Sequence, residues 1–250
     1  TTHKTPEEFK NCFIDTSPSD ILLFIHGFNV SFDNAILRAA QIGHDLCFKG
    51  QITAYSWSSK AKLTGYVSDQ DNVIVSVPHL KVFLDILINI PSTKRIFIIA
   101  HSMGNIALLE TLKIFENCDI KINKIILAAP DIDSDIFRNI YWPNIQRFRN
   151  LTLYVSIKDK ALLASAGVRG GTTRLGMNGG NDIMVLDGMD SIDAGNISTE
   201  YLGHGYYAET YPLIADIKGV FNGISPDSRL LVGEVKLNQK EPNKYWLFPK

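Results

Sequence analysis

Cysteine, methionine and tryptophan are all scarce in this chain of 250 residues, with three Cys, four Met and three Trp. Cys12, Cys47 and Cys118 show no C-x-x-C spacing, which argues against a zinc ribbon or a disulfide framework and leaves buried thiols under reducing conditions as the reading. Neither charge sign dominates: 25 Lys and Arg face 26 Asp and Glu, a formal net charge of -1. The scattered positive residues offer no footprint for nucleic acid. No apolar run is long enough to span a bilayer, because Lys81, Asp85 and Asn89 interrupt the stretch from Leu80 to Ile90, which reads as a core helix. Thr1 is followed by no charged-then-apolar leader, so a targeting peptide is expected to be absent from the sequence, and a cytoplasmic setting is favoured. Repeats, heptads and low-complexity tracts are also lacking. Gly167 to Gly180 carries Arg169 and Arg174 but no G-K-[ST] ending, so a long flexible loop is expected there instead of a phosphate cradle.

What the chain does have is apolar residues, at 45%, enough for one large core. A single domain over 1–250 is expected, with its core at about 20–222 and a C-terminal extension at 225–250. Residues 1–20 read as an approach segment with a short edge strand around Cys12 to Ile14. Buried strands are expected at Ile21 to Ile25, Gln51 to Trp57, Ile96 to Ala100, Lys124 to Ala129 and Leu151 to Ile157, with a last one from Asp182 to Leu186 and Ser191 to Ile192. Helices are expected after Ser31, over Asp71 to Ile90 with an early Pro78, over Met103 to Phe115, over Ile136 to Arg149 with a break at Pro143, and over Tyr207 to Phe221. Ser58 to Gln70 reads as a surface excursion, and Leu230 to Val232 with Tyr245 to Phe248 as a hairpin or a wrap. Strands alternating with helices predict a mostly parallel sheet covered on both faces.

The stretch from Arg95 to Phe115 organises the rest. A buried strand runs into a helix with almost no loop, so the residue at the junction, Ser102, must project from a tight turn at the helix N-terminus. Such a junction wants small residues two before and two after the serine, and Ala100 and Gly104 stand there.

This A-H-S-M-G segment resembles the nucleophile elbow of α/β-hydrolases, usually G-x-S-x-G, with alanine at the first glycine. His26-Gly27-Phe28-Asn29, closing the strand Ile21 to Ile25, resembles the loop of that superfamily that contributes to the oxyanion hole. The resemblance covers most of Ile21 to Phe221, is nearest to bacterial esterase- or lipase-like members of undefined substrate, and implies the α/β-hydrolase fold. It also implies a triad in the chain order serine, acid, histidine. Only His204 follows the last expected strand, between Gly203 and Gly205, and it is the expected base. Asp159, past the penultimate strand, is the favoured acid, with Asp131 or Asp133 as alternatives one strand earlier; a carboxylate at a helix N-terminus would explain the latter pair equally well. The N-H groups of Phe28 and Met103 are the expected oxyanion donors. Trp57, Tyr66 and Tyr206 are candidate substrate-pocket walls. The implied reaction is cleavage of a small-molecule acyl ester with no metal or organic cofactor. An acyltransferase or thioesterase with the same triad, and a non-catalytic interaction module on the same fold, are the alternatives.

Overall fold

The computed structural model of the chain describes residues 5–11, 19–115, 121–156, 173–177, 183–197, 211–235 and 244–249. Its strands are β1 (Ser19–Ile25), β2 (Gln51–Tyr55), β3 (Thr93–His101), β4 (Ile122–Ala128), β5 (Leu151–Val155), β6 (Met189–Asp193), β7 (Val232–Val235) and β8 (Lys244–Leu247). They form one eight-stranded sheet in the order β2-β1-β3-β4-β5-β6-β8-β7. Every neighbouring pair is parallel except β7 with β8. Parallel neighbours require crossovers, and helices α2 (Phe32–Asp45), α3 (Tyr66–Val75), α4 (Val77–Asn89) and α5 (Gly104–Lys113) provide those from β1 to β4, following the short α1 (Pro6–Asn11).

Side-chain alternation along the strands splits the core in two. Ile21, Leu23, Ile25, Ile96, Ile98 and Ala100 face α3, α4 and α5, while Leu22, Phe24, Phe97 and Ile99 face α2 and the last helix, Tyr211–Phe221. Both faces are covered, which is why these strands lack polar alternation.

Several details differ from the sequence expectation, among them Cys47, which is exposed where a buried thiol was expected. The stretch Asp71 to Ile90 is two helices, because α3 begins already at Tyr66 and the chain turns at Ser76; Pro78 then occupies the first turn of α4, where its missing N-H leaves no hydrogen bond unmade. Within the supposed surface excursion, Asp69 is fully buried and accepts hydrogen bonds from Ser59 Oγ and the Lys60 N-H, both at 2.8 Å. The last parallel strand before the C-terminal hairpin is continuous over Met189–Asp193, since Asp187 and Gly188 (φ +86°) reverse the chain ahead of it. Finally, Ile136 to Arg149 forms a series of short turns over 134–148, including a π turn at Phe137–Tyr141, in place of one kinked helix.

The C-terminal stretch contributes β7 and β8, and β8 joins the sheet beside β6. The expected edge strand at Cys12 to Ile14 lies outside the described residues, as do residues 167–172 and 178–180 of the glycine-rich loop. Among the described residues, no helix is long and apolar enough to cross a membrane.

Candidate active site

β3 ends at His101, α5 begins at Gly104, and Ser102 sits between them at φ +50°. A side chain in this left-handed region costs on the order of 1–2 kcal/mol, so the surrounding structure must hold it there. The restraint is visible on both sides of the peptide. The Ser102 N-H donates to the Ala128 carbonyl at 3.0 Å, and the Ser102 carbonyl accepts from the N-H groups of Asn105 (3.1 Å) and Asp131 (3.3 Å) and from Asn105 Nδ2 (2.9 Å). Asn105 is completely buried and also donates to the Ala128 carbonyl at 3.2 Å, bracing the elbow against the end of β4. Meanwhile Ser102 itself stays partly exposed.

The two glycines of the expected motifs meet here. A Cβ on Gly104 would lie 2.3 Å from the His26 carbonyl oxygen, and one on Gly27 would lie 2.8 Å from Ser102 Cβ and 2.9 Å from His101 Nδ1. Both positions therefore exclude any side chain: α5 packs directly on the end of β1, and the turn after His26 passes directly over the elbow. Phe28 follows Gly27, with Asn29 at φ +57° completing the turn. Among the described residues, the N-H groups of Phe28 and Met103 donate to no backbone carbonyl.

His26 is an internal strut. It is fully buried, stacks on Trp57 with ring centroids 5.1 Å apart, and accepts a hydrogen bond from the Trp57 indole N-H at its own carbonyl (2.8 Å). Its Nδ1 lies 2.8 Å from the Gly27 carbonyl, which can only accept, so Nδ1 carries the hydrogen and Nε2 is left to accept from the Ser56 hydroxyl at 3.1 Å. Burial holds the imidazole below its ordinary value of 6.5, partly offset by the hydrogen bonds to Gly27 and Trp57. Trp57 is only 3% exposed, its ring occupied by His26.

Tyr66 stands at the start of α3 and its hydroxyl donates to Asp131 Oδ2 at 2.7 Å. The other carboxylate oxygen lies 3.3 Å from Nε of Arg174, and acid and base are 2% and 1% exposed. Arg174 is carried there by a short antiparallel bridge to Asp133, with the Leu175 N-H donating to the Ile132 carbonyl at 2.8 Å. Asp133 caps the turn that follows it, accepting from the N-H groups of Asp135 (2.9 Å) and Ile136 (3.0 Å). Asp159, His204 and Tyr206 lie outside the described residues. Among the described residues, no three His, Cys, Asp or Glu side chains gather as metal ligands would. The Tyr66–Asp131–Arg174 cluster and the Asn105 brace went unanticipated, since nothing in the spacing of these polar residues marks them as neighbours.

A parallel sheet in this order, with a serine at a left-handed strand-to-helix turn, defines an α/β-hydrolase fold. The chain belongs to the family described as "Alpha/beta hydrolase of unknown function (DUF900)", whose model matches residues 2–220. It is thus an α/β-type hydrolase. Among solved structures it is similar to an uncharacterized protein from Bacillus cereus, at 15% identity and TM-score 0.50, with 85% of this chain and 62% of that one covered. It is also similar to a protein from Thermoplasma acidophilum described as a predicted CIB-like hydrolase (14% identity, TM-score 0.43, 84% and 88% covered). An esterase from Pyrococcus furiosus is a further likeness (11% identity, TM-score 0.45, 84% and 83% covered). No curated protein matches the chain.

Proposed function

We propose that the protein is a serine hydrolase that cleaves carboxylic esters through an acyl-enzyme on Ser102. The observation that carries this reading is the left-handed Ser102 turn, held through its carbonyl by the N-H groups of Asn105 and Asp131 and by Asn105 Nδ2, in contact with the turn at Gly27. A serine hydroxyl attacks a carbonyl only when a base takes its proton, and His204 is assigned that role, with Asp159 holding its tautomer. Two facts favour Asp159 over the alternatives. The Asp131 carboxylate is engaged by Tyr66 and Arg174, and that of Asp133 caps a helical turn.

The reaction then runs in two steps. Ser102 Oγ bonds to the ester carbonyl carbon as His204 accepts its proton, and the oxygen that becomes negative is held by the N-H groups of Phe28 and Met103. Collapse expels the alcohol, which takes the proton from His204. Water, deprotonated by His204, next attacks the acyl-enzyme and releases the acid, returning the proton to Ser102. Tyr66, whose ring stands edge-on to Phe28 at 5.3 Å, and Tyr206 are assigned to the pocket wall; Trp57 supports His26 behind it.

A fluorophosphonate probe tests the proposal. Wild type should be labelled and Ser102→Ala should not, and p-nitrophenyl esters of short and long acyl chains should be hydrolysed by the wild type alone. An unlabelled, folded wild type would remove the serine mechanism.

A further inference from the structure

The end of the sheet opposite Ser102 carries a concavity. A cavity of about 490 Å³ opens beside the amino ends of β1 and β3, with Lys49, Lys94, Arg95 and Lys218 among its lining residues. These cations come from separate places in the chain: Lys49 precedes β2, Lys94 and Arg95 open β3, and Lys218 lies on the last helix. Among the described residues, Asp20 is the one carboxylate that lines it. That carboxylate is already taken, since Arg95 donates to both its oxygens, from Nε at 3.0 Å and from Nη2 at 2.6 Å.

Lys49, Lys94 and Lys218 have no ion-pair partner among the described residues. Three lysines without an ion pair thus line one concavity, in a chain whose formal charge is only -1. The wall beneath them is apolar: Phe48, Phe97 and Phe221 all line the cavity, with Phe97 against Phe221 at 4.6 Å and Phe48 against Phe97 at 5.8 Å. A low-dielectric wall beneath a cationic rim strengthens the field that an anion would feel there.

The geometry points to a binding site for a small, multiply charged anion of the phosphate class, its oxygens met by the lysine ammoniums as point charges. The site is independent of the ester chemistry. β3 runs from Thr93 to His101, so at about 3.3 Å per residue Lys94 and Ser102 are roughly 26 Å apart.

Titration calorimetry and thermal melts of the full chain at low ionic strength test this, with inorganic phosphate, tripolyphosphate and ATP as probes. Saturable one-to-one binding of at least one of them is expected, with a rise in Tm. In the double variant Lys94→Ala/Lys218→Ala, affinity should fall by about tenfold or more. A charge-matched control, Lys60→Ala/Lys62→Ala, removes two exposed lysines that follow the carboxyl end of β2 and should bind as the wild type does. Tighter binding of ATP than of tripolyphosphate would add an apolar moiety resting on the phenyl wall, and equal binding would assign recognition to phosphate alone. Absence of saturable binding by all three probes, or an equal loss in both double variants, overturns the site. Neither result touches the fluorophosphonate reaction at Ser102.

Discussion

The Tyr66 hydroxyl donates to Oδ2 of Asp131 at 2.7 Å, which ties the first turn of α3 to the chain just past β4. Through its N-H, the same Asp131 holds the Ser102 carbonyl at 3.3 Å, and the same Tyr66 ring packs edge-on against Phe28. One contact therefore links the elbow to the turn proposed to bind the oxyanion. Tyr66→Phe keeps the ring and removes only this hydroxyl. It should cost about 1–3 kcal/mol in urea unfolding by leaving a buried carboxylate oxygen short of a donor, and it should slow fluorophosphonate labelling of Ser102 at saturating probe.

Asp131 and Arg174 are both almost wholly buried, so removing the carboxylate strands the charge of Arg174. Asp131→Ala alone should destabilise by about 3–5 kcal/mol. Combined with Arg174→Met, the loss should be smaller than the sum of the single losses, by about 0.5–3 kcal/mol. A double-mutant cycle in urea reads this directly, and strict additivity would show that the ion pair carries no coupling.

Ser102 is held at φ +50°, a conformation glycine adopts freely. Ser102→Gly and Ser102→Ala should both lose labelling, yet the glycine variant should be the more stable of the two by about 0.5–1 kcal/mol, because alanine retains the strained Cβ. Equal melting temperatures would mean that the turn relaxes once the hydroxyl is gone.

At Gly104 the clash is with backbone: an added methyl carbon would stand 2.3 Å from the His26 carbonyl oxygen, and a carbonyl cannot rotate away as a side chain can. Gly104→Ala should lower stability by about 1–3 kcal/mol or more and displace the His26–Phe28 turn. The expected signature is a drop in Tm together with a loss of labelling larger than that caused by Tyr66→Phe.

Burial holds His26 below 6.5, so the unfolded chain takes up the proton first as pH falls. The neutral ring's contribution is complete above 6.5 and is lost as pH drops towards the folded value; stability should therefore decline on acidification below about 6.5. Chemical denaturation between pH 5 and pH 8 checks the slope, and His26→Gln, which cannot titrate, should flatten it.

Much of the fold was legible because a strand covered on both faces can carry no polar alternation: Ile21 to Ile25 and Ile96 to Ala100 announce themselves as runs. The elbow was legible for a steric reason, since a strand and helix joined without a loop need Gly104, and its Cβ would indeed meet the end of β1. Less visible was the division of Asp71 to Ile90 at Ser76, because one apolar periodicity runs on through both helices. Arg174 was read as part of a flexible glycine-rich loop, whereas it is buried against Asp131. A guanidinium inside a core is stable only beside a counter-charge, and that partner lies on a different strand connection.

What the linear order of residues determined by itself is local: which segments are strands, where the chain must turn sharply, and which serine stands at the turn. These follow from the apolar pattern and from the conformational freedom of a few small residues. Only the tertiary structure decided which polar groups face one another, namely that Tyr66 and Arg174 share Asp131, that Asn105 braces Ser102, and that Lys49, Lys94 and Lys218 converge on one cavity. Those pairings depend on how the crossovers bring distant segments to the same edge of the sheet, and charge and hydrogen bonding act across space, with no periodicity along the chain to record them.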